Sequence, residues 1–210
     1  MKDINDEIFE NGLKLPLVEQ FYSVQGEGFH TGKPAYFIRI GGCDIGCQWC
    51  DSKVTWNPDV HPLVEVDDIV DEVLQTPAQS IVVTGGEPSL YNMNPLCEAL
   101  KKHQIKTFLE TAGTNQLTGQ WDWICLSPKK QTPPLSVYYD KADELKVIIY
   151  EEDDLNWAEE VSEKVNKNCY LFLQPEWSQY KKMIPSIVEY VKAHPMWNIS
   201  LQAHKFMRIP

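Results

Sequence analysis

The chain has 210 residues, 43% of them hydrophobic, which is enough for one domain with a substantial core. Its 19 basic and 30 acidic side chains give a net charge of −11, whereas proteins that bind nucleic acids usually carry a basic surface. No stretch approaches the roughly 20 apolar residues that cross a bilayer, and residues 1–7 lack the apolar core of a signal peptide. We expect a single cytoplasmic domain over residues 1–210, with no direct nucleic-acid partner and no membrane.

Short apolar runs alternate along the chain with longer segments of helical periodicity. The predicted strands are Tyr36–Ile40, Ser80–Thr84, Lys106–Glu110, Trp121–Leu126, Leu145–Tyr150, Tyr170–Gln174 and Asn198–Gln202. The predicted helices are Val66–Gln75, Asn92–Lys102, Leu155–Val165 and Tyr180–Ala193. Buried strands separated by helices are typical of a parallel sheet covered by helices, so the predicted fold class is α/β with a mostly parallel sheet.

Two segments stand apart from this alternation. Ser127–Asp140 contains three prolines and no periodicity, which predicts a long loop. The run from Glu151 to Lys164 has seven acids against one lysine, which predicts a solvated helix face.

Unusual polar or glycine-rich sequences follow five of the predicted strands. In parallel sheets, ligands bind outside the carboxyl ends of the strands, so we expect these sequences to meet at one functional rim. They are Gly41-Gly42-Cys43, Gly85-Gly86-Glu87-Pro88, Glu110-Thr111-Ala112-Gly113-Thr114, Ser127-Pro128-Lys129 and Gln174-Pro175-Glu176-Trp177.

Three cysteines in the first of these loops, Cys43, Cys47 and Cys50, form a C-x3-C-x2-C motif. Thiolates are the ligands of iron–sulfur clusters, and three of them would leave one iron open to another molecule. The alternative is a zinc site with His61 as the fourth ligand, which the x3 spacing and the missing second cysteine pair disfavour. The other cysteines, Cys97, Cys125 and Cys169, are expected in the core.

These motifs resemble those of a known superfamily. Trp49 immediately before the last cysteine, together with Gly85-Gly86-Glu87-Pro88, resembles the radical S-adenosylmethionine superfamily. Longer segments resemble the 7-carboxy-7-deazaguanine synthase family, from which Ala112 departs, because asparagine is expected there. Those segments are Phe21-Tyr22-Ser23-Val24-Gln25-Gly26-Glu27-Gly28, Phe37-Ile38-Arg39, Cys50-Asp51-Ser52, Glu110 to Thr114, Ser127-Pro128-Lys129 and His204 to Pro210.

The resemblance implies a reduced partial (β/α) barrel that forms a homodimer. It implies a [4Fe-4S] cluster, S-adenosylmethionine and Mg²⁺ as cofactors, and a flavodoxin- or ferredoxin-type protein as electron donor. The implied reaction is a radical ring contraction of 6-carboxy-5,6,7,8-tetrahydropterin. It releases ammonia and yields 7-carboxy-7-deazaguanine, a precursor of queuosine, so the chain would be a lyase.

The resemblance also implies roles for individual residues. The cluster would be bound by Cys43, Cys47 and Cys50, and Mg²⁺ by Ser52. S-adenosylmethionine would be bound by Gly85, Gly86, Glu87, Ser127, Pro128, Lys129, Gln174, Pro175, Glu176 and Trp177. The pterin would be bound by Val24, Gln25, Gly26, Glu27, Arg39, Thr84, His204 and the carboxylate of Pro210.

Arg39 carries physical support of its own, because a guanidinium on an apolar strand needs a partner such as a substrate carboxylate. The alternative for this residue is a structural ion pair. Two other functions stay open for the chain as a whole: a radical activase that installs a glycyl radical on a partner protein, and a zinc-stabilised binding module.

Overall fold

The computed structural model describes residues 11–210, and nine strands within this range form one continuous sheet. The strands are β1 Lys14–Val24, β2 Pro34–Ile40, β3 Leu63–Glu65, β4 Ser80–Gly85, β5 Lys106–Thr111, β6 Trp123–Leu126, β7 Glu144–Ile149, β8 Tyr170–Pro175 and β9 Trp197–Ile199. Their spatial order is β3-β1-β2-β4-β5-β6-β7-β8-β9. Strands β2 and β4 to β9 run parallel, whereas β1 is antiparallel to both β2 and β3.

Helices follow most of the parallel strands, and all but the last of them cover one face of the sheet. They are α1 Val66–Leu74, α2 Asn94–Lys102, α3 Ser136–Lys141, α4 Asp153–Ser162, α5 Tyr180–Ala193 and α6 Ala203–Met207. The predicted α/β class with a mostly parallel sheet is therefore confirmed. No helix within residues 11–210 is long and apolar enough to cross a membrane.

Alternation along the strands gives the sheet two chemically different faces. Side chains of one parity, such as Ile38, Val83 and Leu173, are fully buried in two apolar clusters together with side chains from the helices. Side chains of the opposite parity form the inner face, which includes Arg39 on β2 and Gln174 on β8. Because strands as far apart as β2 and β8 line one common cavity, the sheet curves around it, as a partial barrel does.

The sequence predicted most elements to within three residues, and helix α5 has the predicted bounds. It missed β1 and β3, whose half-exposed, partly polar residues do not form an apolar run. The predicted loop over residues 127–140 is partly wrong, because α3 begins at Ser136. The last predicted strand ends early, at Ile199.

The acidic run on α4 is also not wholly solvated, because two of its acids accept hydrogen bonds from other groups of the protein. Asp154 is buried, and its carboxylate accepts hydrogen bonds from the backbone of Tyr150 and Glu151. Glu159 accepts from the indole of Trp197 at 2.8 Å and from the hydroxyl of Tyr190. These two acids therefore stabilise packing at the end of the sheet.

Leu173 in the middle of β8 offers a direct test of this core. It is fully buried, so Leu173→Ala leaves a cavity and should lower the free energy of unfolding by about 2–5 kcal/mol in denaturant titrations. Leu63→Ala on the edge strand is the matched control. Because Leu63 is 48% exposed, this substitution should change the free energy of unfolding by less than about 0.5 kcal/mol. Equal effects at both positions would contradict the described packing.

Candidate active site

A cavity of about 260 Å³ opens at the carboxyl ends of the parallel strands. All but two of the predicted site residues line it, the exceptions being Pro128 and Pro175. The predicted residues that it brings together are Val24, Gln25, Gly26, Glu27, Arg39, Cys43, Cys47, Cys50, Ser52, Thr84, Gly85, Gly86, Glu87, Ser127, Lys129, Gln174, Glu176, Trp177, His204 and Pro210. Sequences far apart in the chain thus meet at one rim.

The three clustered cysteines form one wall of this cavity. All three are free thiols, and the backbone N–H of Cys50 donates to the carbonyl of Cys47 at 3.1 Å, which folds the loop. A cubane binds each thiolate at a different iron atom, and three unpaired thiols facing one cavity fit such a group with one corner left toward the cavity. The donor set therefore suits an iron–sulfur cluster.

The zinc alternative finds no support in this geometry. In residues 11–210, no three His, Cys, Asp or Glu side chains are arranged to hold a single metal ion. His61, the proposed fourth ligand, does not line the cavity, and its Nε2 is 2.8 Å from the carbonyl oxygen of Val54.

The end of β2 and the cysteine loop that follows it pack directly on two glycines at the end of β4. Gly85 has a φ of +125°, and a Cβ at Gly86 would lie 2.0 Å from the carbonyl oxygen of Gly42. The backbone N–H of Gly86 donates to Ile40 at 2.9 Å, and that of Glu87 donates to Gly42 at 2.8 Å. Both glycines are thus required by the close approach of two backbones as well as by any ligand.

The carboxylate of Glu87 holds a neighbouring loop. This side chain is 1% exposed and accepts hydrogen bonds from the Thr111 hydroxyl, from Ala112 N at 2.7 Å and from Ser89 N at 2.9 Å. Position 112, where asparagine was expected, contributes its backbone N–H to this network, and alanine suffices for that. The side chain of Glu87 therefore connects the ends of β4 and β5.

Lys129 places a buried ammonium beside the cysteine loop. Its Nζ donates to the hydroxyl of Ser127 at 3.0 Å and lies 5.7 Å from the ring centre of Trp49. Burial lowers the pKa of Lys129, with the Cys47 and Glu87 charges opposing that shift. A cation here would offset part of the negative charge that thiolate ligands bring to the cavity.

The floor of the cavity is a network of charged and amide side chains on the inner face. The Lys146 ammonium lies 2.6 Å from Glu27 Oε2 and 3.9 Å from Glu110 Oε2. Gln202 donates to Glu27 Oε1 at 3.0 Å, and Gln25 donates to Glu110 Oε1 at 3.0 Å. The two carboxylates are thus fixed in position with acceptor capacity left over.

Electrostatics keep Glu27 ionised in this setting. Burial by itself would raise the pKa of Glu27, but the charge and hydrogen bond of Lys146, with the amides of Gln202 and Gln174, outweigh burial and lower it. Burial likewise would lower the pKa of Lys146, and Glu110 and Glu27 raise it well above its usual range.

Arg39 pairs with a carboxylate of its own chain. Its Nε donates to Glu19 Oε1 at 2.7 Å, and Glu19 is half exposed on the neighbouring strand β1. This contact matches the structural ion pair that was the alternative for Arg39. It uses only one of the five guanidinium donors, however, and Arg39 also lines the cavity.

Ser52 lies beside a carboxylate at the other end of the cysteine loop. Its hydroxyl is 3.3 Å from Asp51 Oδ1, and Lys205 on α6 donates to Asp51 Oδ2 at 2.7 Å. A hydroxyl backed by a carboxylate fits Mg²⁺, which takes few protein ligands and completes its shell with water and substrate.

The C-terminal residues close one side of the cavity. The backbone N–H of Ala203 donates to Gly26 at 2.8 Å, and His204 packs against Gly26. Burial lowers the pKa of His204. The carbonyl of Pro210 is 3.5 Å from the Ser23 hydroxyl.

Sequence reasoning missed six polar residues that line the cavity: Asp51, Thr55, Glu110, Thr111, Lys146 and Gln202. Lys146 and Glu110 carried the same signal as Arg39, namely a charge within an apolar strand. Gln202 and Asp51 carried none, since both are ordinary polar residues of loops.

Comparisons with known proteins agree with this site. Residues 37–124 match the model of the radical SAM superfamily. The 7-carboxy-7-deazaguanine synthase of Flavobacterium psychrophilum is 53% identical over 96% of this chain and 95% of its own length. That of Synechocystis is 43% identical over 94% of both chains. The crystal structure of QueE from Escherichia coli superposes with a TM-score of 0.83 at 28% identity, covering 97% of this chain and all of that one.

The chain belongs to the 7-carboxy-7-deazaguanine synthase family. The resemblance inferred from the motifs is thereby confirmed, as is the radical SAM type of fold. Membership in this family of radical SAM enzymes also implies the [4Fe-4S] cluster and S-adenosylmethionine as cofactors.

Gly86→Ala tests the packing between the cysteine loop and the residues after β4. The new methyl group would overlap the carbonyl of Gly42, so the loop must shift, and we expect a clear loss of iron per chain after anaerobic reconstitution. Gly32→Ala is the matched control, because its φ of +85° adds local strain but nothing lies within 4 Å of the new atom. Full iron content in Gly86→Ala would contradict the described contact.

Proposed function

We propose that this protein is a 7-carboxy-7-deazaguanine synthase that converts 6-carboxy-5,6,7,8-tetrahydropterin into 7-carboxy-7-deazaguanine and ammonia. The observation that carries the proposal is a single cavity with three unpaired thiols at one side and an arginine and two fixed carboxylates at the other. This combination suits a redox cofactor next to a polar, carboxylate-bearing heterocycle. The names of the relatives support the same product.

Each part of the cavity has a proposed role. Cys43, Cys47 and Cys50 bind the cluster. The residues at the carboxyl ends of β4, β6 and β8 bind S-adenosylmethionine: Gly85, Gly86, Glu87, Ser127, Pro128, Lys129, Gln174, Pro175, Glu176 and Trp177. When bound, the cluster and S-adenosylmethionine supply the one-electron chemistry that starts the reaction. The protein positions the substrate beside them and excludes water.

The substrate has a carboxylate at one end and ring N–H and amine donors at the other. The free donors of Arg39 suit the carboxylate, with Mg²⁺ held by Ser52 binding the same group. Glu27 and Glu110 accept from the donor-rich end of the ring. The remaining contacts assigned to the substrate come from Val24, Gln25, Gly26, Thr84, His204 and Pro210.

Further parts of the proposal rest on the family resemblance. They are a homodimer, a flavodoxin- or ferredoxin-type electron donor and a role in queuosine precursor biosynthesis. The continuous sheet supports a single domain over residues 1–210, and six unpaired cysteines suit a reducing cytoplasm.

The decisive experiment is anaerobic reconstitution with iron and sulfide, followed by turnover of 6-carboxy-5,6,7,8-tetrahydropterin with S-adenosylmethionine and a reductant. Product and ammonia should form in equal amounts, faster with Mg²⁺ than without it, and Cys50→Ala should abolish both. Reductive cleavage of S-adenosylmethionine without any deazaguanine product would overturn the proposal and favour the glycyl-radical activase.

Arg39→Gln tests recognition of the substrate carboxylate. Loss of a charged donor pair should raise KM for the pterin about 10- to 100-fold, while cleavage of S-adenosylmethionine without substrate stays unchanged. Lys14→Gln is the control, since this lysine pairs with Glu65 on the exposed edge of the sheet and should leave KM unchanged. An unaltered KM in Arg39→Gln would assign the arginine to its ion pair with Glu19 alone.

A further inference from the structure

Lys146 is a buried charge whose purpose neither the fold nor the family motifs explain. It lies in the middle of β7, between the fully buried Leu145 and Val147, and its side chain is 5% exposed. An isolated ammonium in such a position costs several kcal/mol, and apolar residues would pack there at less cost. Its place in the lining of the cavity is therefore consistent with a role in the site.

The surroundings of Lys146 contain more acid than base. Glu27 and Glu110 are its two ion-pair partners, at 2.6 Å and 3.9 Å. Glu144 projects from the same face of β7, is 3% exposed and has an Oε1 without a hydrogen-bond partner. Cys125 on β6 and Lys129 are further titratable neighbours of Lys146, and the charges of Glu27 and Glu110 also act on His204.

Without the ammonium, Glu27 and Glu110 would be two partly buried like charges that had lost the cation they share. Such a pair relieves its repulsion and burial by taking up a proton. A protonated carboxyl group donates a hydrogen bond where an ionised one accepts, so it no longer matches a ring edge rich in N–H groups. Removing the lysine would therefore change what the cavity floor can recognise.

The ammonium also fixes where Glu27 lies. Glu27 is in the loop between β1 and β2, whereas Lys146 is anchored in the sheet, so their contact ties the loop to the floor. Gln202 holds the other oxygen of the same carboxylate. Lys146, Gln202 and the amide of Gln174 together leave about one of the four acceptor sites of this carboxylate free for a ligand.

We propose that Lys146 is a positioning residue that holds the carboxylates of Glu27 and Glu110 as hydrogen-bond acceptors aimed into the cavity, and so selects ligands with a donor-rich ring edge. This inference builds on the proposed function, because the ligand that it selects is the pterin ring. It adds a specificity role for a residue that need not contact the substrate.

Lys146→Met tests the role of the charge, since methionine keeps the length and removes the ammonium. The probe is pterin-6-carboxylic acid, a stable relative of the proposed substrate, titrated calorimetrically into reconstituted protein. We expect about 10- to 100-fold weaker binding, with iron content and cleavage of S-adenosylmethionine unchanged. Lys146→Arg should recover part of the affinity. Binding as tight as in the unaltered protein would overturn the proposal.

The pH profile separates this role from a merely structural one. In the unaltered protein, affinity should hold until low pH, because Lys146 lowers the pKa of Glu27. In Lys146→Met, burial is no longer opposed by the ammonium and raises the pKa of Glu27. As the pH is lowered, affinity for the pterin should therefore begin to fall at a higher pH than in the unaltered protein. A profile with the same acid limb in both proteins would refute the assignment.

A double variant covers the case in which Lys146→Met fails to fold. Lys146→Met with Glu27→Gln removes both charges of the pair and should recover thermal stability, but not affinity for the pterin. Recovery of both would show that the pair serves folding alone.

If the unaltered protein binds the pterin but does not turn it over, the proposed function fails. The role inferred for Lys146 is then still decided by the binding data.

Discussion

The constraint on which the site depends is the cost of placing charge on the inner face of a parallel sheet. Lys146, Glu27 and Glu110 meet this constraint by pairing with one another. Because they come from β7, from the β1–β2 loop and from β5, their pairing also brings three distant parts of the chain together. Gln25 and Gln202 donate hydrogen bonds to the other oxygens of the two carboxylates. The same contacts therefore hold these side chains in position and compensate their charge.

The cofactor side of the cavity depends on a different constraint, the close approach of two backbones. The cysteine loop rests on Gly85 and Gly86, with direct hydrogen bonds from Gly86 and Glu87 to the backbone around Gly42. The proposed cluster ligands and the segment proposed to bind S-adenosylmethionine therefore form one structural unit. The buried carboxylate of Glu87 then joins this unit to the end of β5.

The sequence predicted the elements whose signals are local. Helix α5 and the buried parallel strands follow from apolar periodicity, and the cysteine and glycine motifs located the rim. Strand β1 was missed because its half-exposed residues show neither a strict alternation nor an apolar run. The internal roles of Glu159 and Gln202 depend on residues that are distant in the chain, so no local pattern could reveal them.

The arrangement of charge across the cavity also determines how a ligand must lie in it. Arg39 and Glu110 approach from opposite sides of Thr84, since Arg39 is opposite Thr84 in the β2–β4 register and Thr84 donates to Glu110 at 3.3 Å. A carboxylated pterin bound in the proposed direction presents its anion to the arginine and its donors to Glu27 and Glu110. The inverted ligand would place its carboxylate against two fixed carboxylates and its donors against a guanidinium. Like charges at one end and opposed hydrogen-bond donors at the other disfavour that orientation, so the arrangement of charge selects one direction for the proposed ligand in the cavity.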